Sequence, residues 1–132
     1  MIKKFGDFSN ISVKMIDDSY RYELISMIDS FNSYGVPFIG LFDNDKLIGG
    51  VLMDEDYLPY EYRFDIVISP VYRKKGYLKL LIDKLKLEFY KDNKADQLSA
   101  TVVNKKLIAI LKNRFGFNES EYEGDAFMWI RK

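Results

Sequence analysis

The chain of 132 residues has no cysteine and no histidine. Without cysteine there is no disulfide framework, no thiolate zinc site and no thiol nucleophile. Without histidine, acid–base chemistry falls to carboxylates, tyrosine, lysine, backbone or water. No charge of one sign prevails, because 20 basic and 20 acidic residues cancel. A dedicated nucleic-acid binder draws its affinity from a basic surplus, so no nucleic-acid partner is expected. No apolar run approaches the ~18 residues that would span a bilayer, so no membrane partner is expected either. The opening residues, Met1 to Asp7, lack an apolar signal region, and the expectation is a cytoplasmic protein.

What is present suits a folded domain. Just under half of the residues are apolar, enough to bury one core, and the length fits a single domain over residues 1–132. Ile11, Val13 and Met15 alternate with Ser12 and Lys14, the period of a half-buried strand. Asp17, Asp18 and Ser19 offer N-caps for a helix through about Phe31, with Tyr20, Leu24, Met27, Ile28 and Phe31 on one face. Pro37 to Phe42 and Lys46 to Met53 flank Asp43-Asn44-Asp45 as a β-hairpin. Gly49 and Gly50 inside it predict a bulge or a close backbone approach.

A loop from Asp54 to Tyr60 leads to a strand over Tyr62 to Ile68. The helix after Gly76 places Leu78, Leu81, Ile82, Leu85 and Phe89 on one face. Leu98 to Val103 reads as a strand, and Lys105 to Phe115 as a helix ended by Gly116. Glu119 to Tyr122 and Ala126 to Ile130 form a closing hairpin. The order is β-α-β-β-β-α-β-α-β-β. Its central β-α-β unit needs parallel strands and its hairpins need antiparallel ones, so a mixed sheet with helices on its faces follows.

The densest signal lies at the centre. An apolar strand ends at Ser69-Pro70, the cations Arg73, Lys74 and Lys75 follow, and after Gly76 a helix begins. A helix N-terminus carries about half a positive charge and up to four unpaired N–H donors, which suits a phosphate.

Ile68, Pro70, Arg73 and Gly76 fit the pattern V-x-P-x-x-[RQ]-x-x-G-x-[GA], and the stretch resembles the cofactor motif of the GNAT family of N-acetyltransferases. Leu78 stands where that pattern has Gly or Ala. Phe42 to Gly50 is similar to the family's central hairpin, and Asn104 to Phe117 to its closing segment of Asn, short helix and Gly-Phe. The resemblance implies an α/β fold of mixed α+β character, the GNAT-like acyl-CoA N-acyltransferase fold. Its central mixed sheet is mostly antiparallel, with splayed central parallel strands and helices on both faces. It further implies an acetyl-CoA-dependent N-acetyltransferase acting on a primary amine of a small molecule, peptide or protein. A homodimer is compatible with it.

By the same resemblance, backbone groups of Ile66, Val67 and Ile68 would bind pantetheine, and one N–H would polarise the thioester carbonyl. Arg73, Lys74, Lys75, Gly76, Tyr77 and Leu78 would form the pyrophosphate turn, with Asn104 counted among the cofactor-binding residues and Lys105 and Lys106 near the outer phosphates. An amine acceptor with a pKa of about 10.4 must lose a proton before attack. Glu61 and Asp65 are the candidate bases, with ion-paired or solvated carboxylates as the alternative. The family's occasional base falls on Tyr62 here, which puts Glu61 and Asp65 on the other face of the strand. The family's thiolate-protonating Tyr is absent: the two counts give Leu111 or Lys112, and Tyr122 is the distant substitute. Leu78 is expected to crowd the pyrophosphate. Asp54, Glu55, Asp56 and Glu61 among Tyr57, Tyr60 and Tyr62 suit a cationic acceptor or, equally, a solvated loop, and Tyr34 and Phe38 form a further wall or belong to the core. The rival reading is a non-catalytic binding or regulatory protein on the same fold, acting through a protein partner.

Overall fold

The computed structural model describes residues 10–28 and 35–132. Strands β1 (Ile11–Met15), β2 (Val36–Asp43), β3 (Lys46–Met53), β4 (Glu61–Ile68), β5 (Gln97–Val102), β6 (Asn118–Tyr122) and β7 (Asp125–Arg131) form one sheet, ordered β1-β2-β3-β4-β5-β7-β6. Every neighbouring pair is antiparallel except β4 and β5. The hairpin turns lie where the small polar residues predict them, with Asn44 at φ 54 and Glu123 and Gly124 at φ 52 and 87.

Alternation along the strands sorts two apolar clusters onto opposite faces. Tyr62 and Phe64 of β4 join Leu98, Ala100 and Met128 beneath α2 (Tyr77–Lys91) and α3 (Lys105–Phe115). Helix α2 contributes Leu81, Ile82, Leu85 and Phe89, and α3 contributes Leu111. Val67 points the other way, into a smaller cluster with Phe42, Leu47, Leu52 and Leu24 of α1 (Arg21–Ile25). Helices therefore cover both faces, two on one side and one on the other. Among the described residues no helix is long and apolar enough to cross a membrane.

The expected first helix begins as foreseen, with the Asp17 side chain accepting from the Ser19 amide at 2.9 Å. It opens as a 3₁₀ turn over Asp18–Tyr20, and α1 proper is short. Phe31 and Tyr34 lie outside the described residues. Of the two readings open for Phe38, the structure has the core one, and Tyr62, grouped with the acceptor-side aromatics, belongs to the core as well. Their rings meet edge-on at 5.5 Å, and the Tyr62 hydroxyl donates to Asp92 Oδ2 at 2.5 Å. Strand β5 stops at Val102, leaving Val103 exposed.

The glycine pair does hold a close approach. A Cβ on Gly50 would come within 2.5 Å of the Ile39 carbonyl oxygen, and one on Gly49 within 2.6 Å of the Val67 oxygen. Backbone cannot yield as a flexible side-chain tip can. Gly50→Ala is expected to cost about 1–3 kcal/mol through overpacking. Gly124→Ala, with open space around it, should cost only the left-handed strain of about 1–2 kcal/mol. Urea midpoints of the two variants check the order.

Candidate active site

The parallel pair is hydrogen-bonded for only part of its length. Its rungs are Glu61↔Gln97, Tyr62↔Leu98 and Arg63↔Ser99. Beyond Arg63 the strands part, although β4 stays on β3 to the Gly49↔Ile68 rung and β5 stays on β7 to Val102↔Ala126. The Asp54 amide donates to the Arg63 oxygen and the Ser69 amide to the Ile48 oxygen, each at 2.8 Å. These bonds fix positions 63, 65, 67 and 69 as the ones facing β3. Backbone groups of Phe64, Ile66 and Ile68 then face the gap left by β5. Of the expected trio, Ile66 and Ile68 open to the gap, whereas Val67 has its backbone turned to β3.

A hollow of about 170 Å³ fills the gap, with Phe64, Asp65 and Ile66 on one wall and Ala100 and Thr101 on the other. It shares Asp65, Ile66, Asn104 and Leu107 with a cleft of about 820 Å³ that reaches the start of α2. There the chain turns sharply, with Lys74 at φ 62 and the N-cap Gly76 at φ 83. The N-cap residue Gly76 has no side chain with which to cap the first turn of α2. Arg73, Lys74, Gly76, Tyr77 and Leu78 line this end of the cleft.

Several expected residues have a local duty as well. The Arg73 Nε donates to the Ile68 oxygen at 2.8 Å, so this cation also pins the turn to the strand. Lys75 does not line the cleft, and its Nζ lies 5.5 Å from the centre of the Tyr72 ring. Asn104 borders both hollows, yet its Oδ1 caps α3 by accepting from the Lys106 and Leu107 amides. Lys105 and Lys106 do not line the cleft. Leu78 is half-buried and packs against the main core cluster while it lines the cleft.

The two carboxylates of β4 differ sharply. Glu61 accepts from Arg63 Nε at 2.8 Å, Ser99 Oγ at 2.7 Å and Gln97 Nε2 at 3.1 Å. It sits on the paired part of the strand and touches neither hollow. Asp65 stands at the mouth of both. It keeps contact with water, but the cleft walls crowd it. Desolvation first, and the Asp54 charge second, raise its carboxyl above the ordinary value. Tyr122 ends β6 opposite Asp125, and its side chain lies outside what is described.

The sequence matches the family described as "Acetyltransferase (GNAT) family" over residues 8–117. The chain belongs to the GNAT acetyltransferase family. No curated protein sequence matches it. Solved structures resemble its fold over nearly all of both chains. A GNAT-family acetyltransferase from Streptococcus pneumoniae has a TM-score of 0.71 at 15% identity, covering 92% of this chain and 99% of that one. A putative acetyltransferase from Salmonella typhimurium with its cofactor acetyl-CoA has a TM-score of 0.69 at 12% identity, covering 93% and 94%. The spermidine N-acetyltransferase from Vibrio cholerae in complex with CoA and spermine has a TM-score of 0.65 at 18% identity, covering 93% and 96%.

Within this GNAT domain, sequence reasoning missed Met27, Ile28, Lys79, Ile110 and Arg114 as lining residues. Lys79 and Arg114 add to the positive wall, while Asp65 is the one carboxylate among the described lining residues. The spacing of Arg114 along α3 offered a signal, since it follows Leu107 and Ile110 at helical intervals. Neither register for the missing tyrosine is free. Leu111 is 1% exposed in the core, and Lys112 points out to Glu119 at 3.5 Å.

Asp65 carries a stability consequence. A carboxyl raised on folding makes the native state hold its proton longer, so stability falls as pH climbs from the ordinary Asp value to the raised one. Asp65→Asn is therefore expected to increase Tm at neutral pH and to flatten that decline. Thermal melts across pH 3–8 measure it.

Proposed function

We propose that the chain is an acetyl-CoA-dependent N-acetyltransferase, acting as a single cytoplasmic domain on a primary amine of a small molecule, peptide or protein. One observation carries the reading: the hollow beside a half-unzipped parallel pair opens into a cleft that reaches a glycine-capped helix N-terminus lined by cations. Structural neighbours solved with acetyl-CoA, or with CoA and spermine, support it. Acetyl-CoA would supply an activated acetyl group on a thiol, a good leaving group with a pKa of about 8.5.

The residues fit such a ligand. The start of α2, with Arg73 and Lys74 beside it, would hold a diphosphate through backbone N–H groups and charge. The gap-facing backbone of Ile66 and Ile68 would take up amide groups as a missing strand would. An N–H there would also favour negative charge building on a carbonyl oxygen. The α2–α3 side of the gap is closed by Leu107 and Leu111, so an amine would enter from the α1 side. Asp65 stands on that side and would accept the ammonium proton, its raised pKa bringing it nearer to working pH. Glu61, held by three donors, is a positioning group in this scheme.

The absent phenol on α3 favours a second reading, a GNAT-fold binding or regulatory protein. Calorimetry with acetyl-CoA and an amine panel separates the two: micromolar binding with turnover supports the enzyme, and binding without turnover supports the regulator. Gly76→Glu should abolish binding, because a side chain at φ 83 and a negative charge both oppose a diphosphate there. Retained affinity would move the site elsewhere. For the enzyme, Asp54→Asn should shift the acidic limb of kcat/KM to lower pH by removing one cause of the Asp65 shift. An unmoved limb would take the base role from Asp65.

A further inference from the structure

Beside the gap, on the α1 face, lies a basic group that the reading above leaves without a task. Arg63 occupies the last rung before β4 and β5 part. Its guanidinium lies 3.6 Å from the centre of the Tyr57 ring and 5.2 Å from that of Phe127 on β7. The side chain is only 22% exposed. Its Nε donates to Glu61, which is itself fastened to buried Ser99 and to Gln97, and Gln97 accepts from Arg131 at 2.7 Å. So the fork is fixed in plane and direction before any ligand arrives.

The fixing uses one donor site. Glu61 receives only Nε, and among the described residues Nη1 and Nη2 of Arg63 donate to no acceptor. An arginine held flat by aromatic rings, with its terminal N–H groups open, is preorganised for a planar oxyanion such as a carboxylate. Next along the same face comes Asp65, about 6.6 Å away at the rise of an extended strand. Asp54, whose charge reaches Asp65, stands across the ladder from Arg63. One small surface therefore offers anions for an ammonium beside the gap and a fork for a carboxylate at its foot.

We propose that Arg63 sets acceptor specificity by binding a carboxylate on the amine substrate, so that the preferred acceptors are free amino acids. This rests on the acetyltransferase reading and names its substrate class. Polyamines, which lack a carboxylate, should be poor acceptors despite the spermine bound by one structural neighbour.

The test uses the full chain, acetyl-CoA and release of free thiol. The substrates are the twenty amino acids, the amide of whichever is best, and spermine as a polyamine. The best amino acid should exceed its own amide by about 100-fold in kcat/KM, the scale of a charge-assisted hydrogen-bonded pair. Arg63→Met should reduce that ratio to near one, chiefly through KM, and Arg63→Lys should recover part of it as a point charge without the fork. Coenzyme A affinity by calorimetry serves as the folding control for each variant. The proposal is overturned if amides or spermine are preferred, or if Arg63→Met leaves the ratio intact. It is equally overturned if the coenzyme-loaded protein neither acetylates nor binds any amino acid at millimolar concentration. Failure of coenzyme A to bind the unaltered chain would overturn the transferase reading instead, and calorimetry shows that before any acceptor is added.

Discussion

The whole arrangement depends on two parallel strands ceasing to pair partway along. Past Arg63↔Ser99, β4 and β5 both continue as strands, each still anchored on its outer side, to β3 and to β7. Unpaired strand edges inside a protein are unfavourable, since every buried N–H and C=O seeks a partner. The gap survives because the outer ladders fix each strand separately, and because Leu107 and Leu111 of α3 stand behind it. Donors and acceptors that would stitch a sheet are thus held ready for a ligand of similar spacing. Pre-alignment of this kind lowers the ordering cost of binding.

From that gap the distribution of charge follows. Net charge is zero over the chain, yet among the described residues the cleft has four lining cations, Arg73, Lys74, Lys79 and Arg114, against one carboxylate. The cations gather at the helix end and the carboxylate at the strand gap. An anionic ligand entering there would therefore be oriented, with its negative part drawn to α2 and the vicinity of Asp65 left for a cation. Lys79 also pairs with Asp83 one turn along, so its share of that field is reduced.

Much of this was legible in the sequence, for a physical reason. The strand, proline, cations, glycine and helix that make the turn lie within one short segment, so local chemistry alone predicts it. The same holds for the hairpin turns and for the glycine pair, whose lack of side chains announced a close approach. Illegible were properties that depend on partners distant in the chain. Whether Val67 or Ile66 faces the gap follows from which residues bond to β3, a register that no local pattern encodes. Tyr62 reads as a surface aromatic until Phe89 of α2 meets its ring, and Phe38 stays undecided between wall and core until Tyr62 meets its own. Arg63 gave no signal, because Tyr57, Phe127 and Glu61 come to it from three separate segments.

The two departures from the family motif find their places in the same terms. At Leu78 the first turn of α2 packs down on the core, as side chains near a helix start lean back and inward. Part of its bulk is thereby drawn toward the core, and backbone N–H groups, which need no particular side chain, still make up the end of the helix. Leu111 is a different matter. It is 1% exposed and closes the α3 side of the gap with an apolar side chain that has no proton to give. A thiol with a pKa of about 8.5 loses little by leaving unprotonated near neutral pH, so the chemistry that the fold gives up at Leu111 is the step that needs the least help.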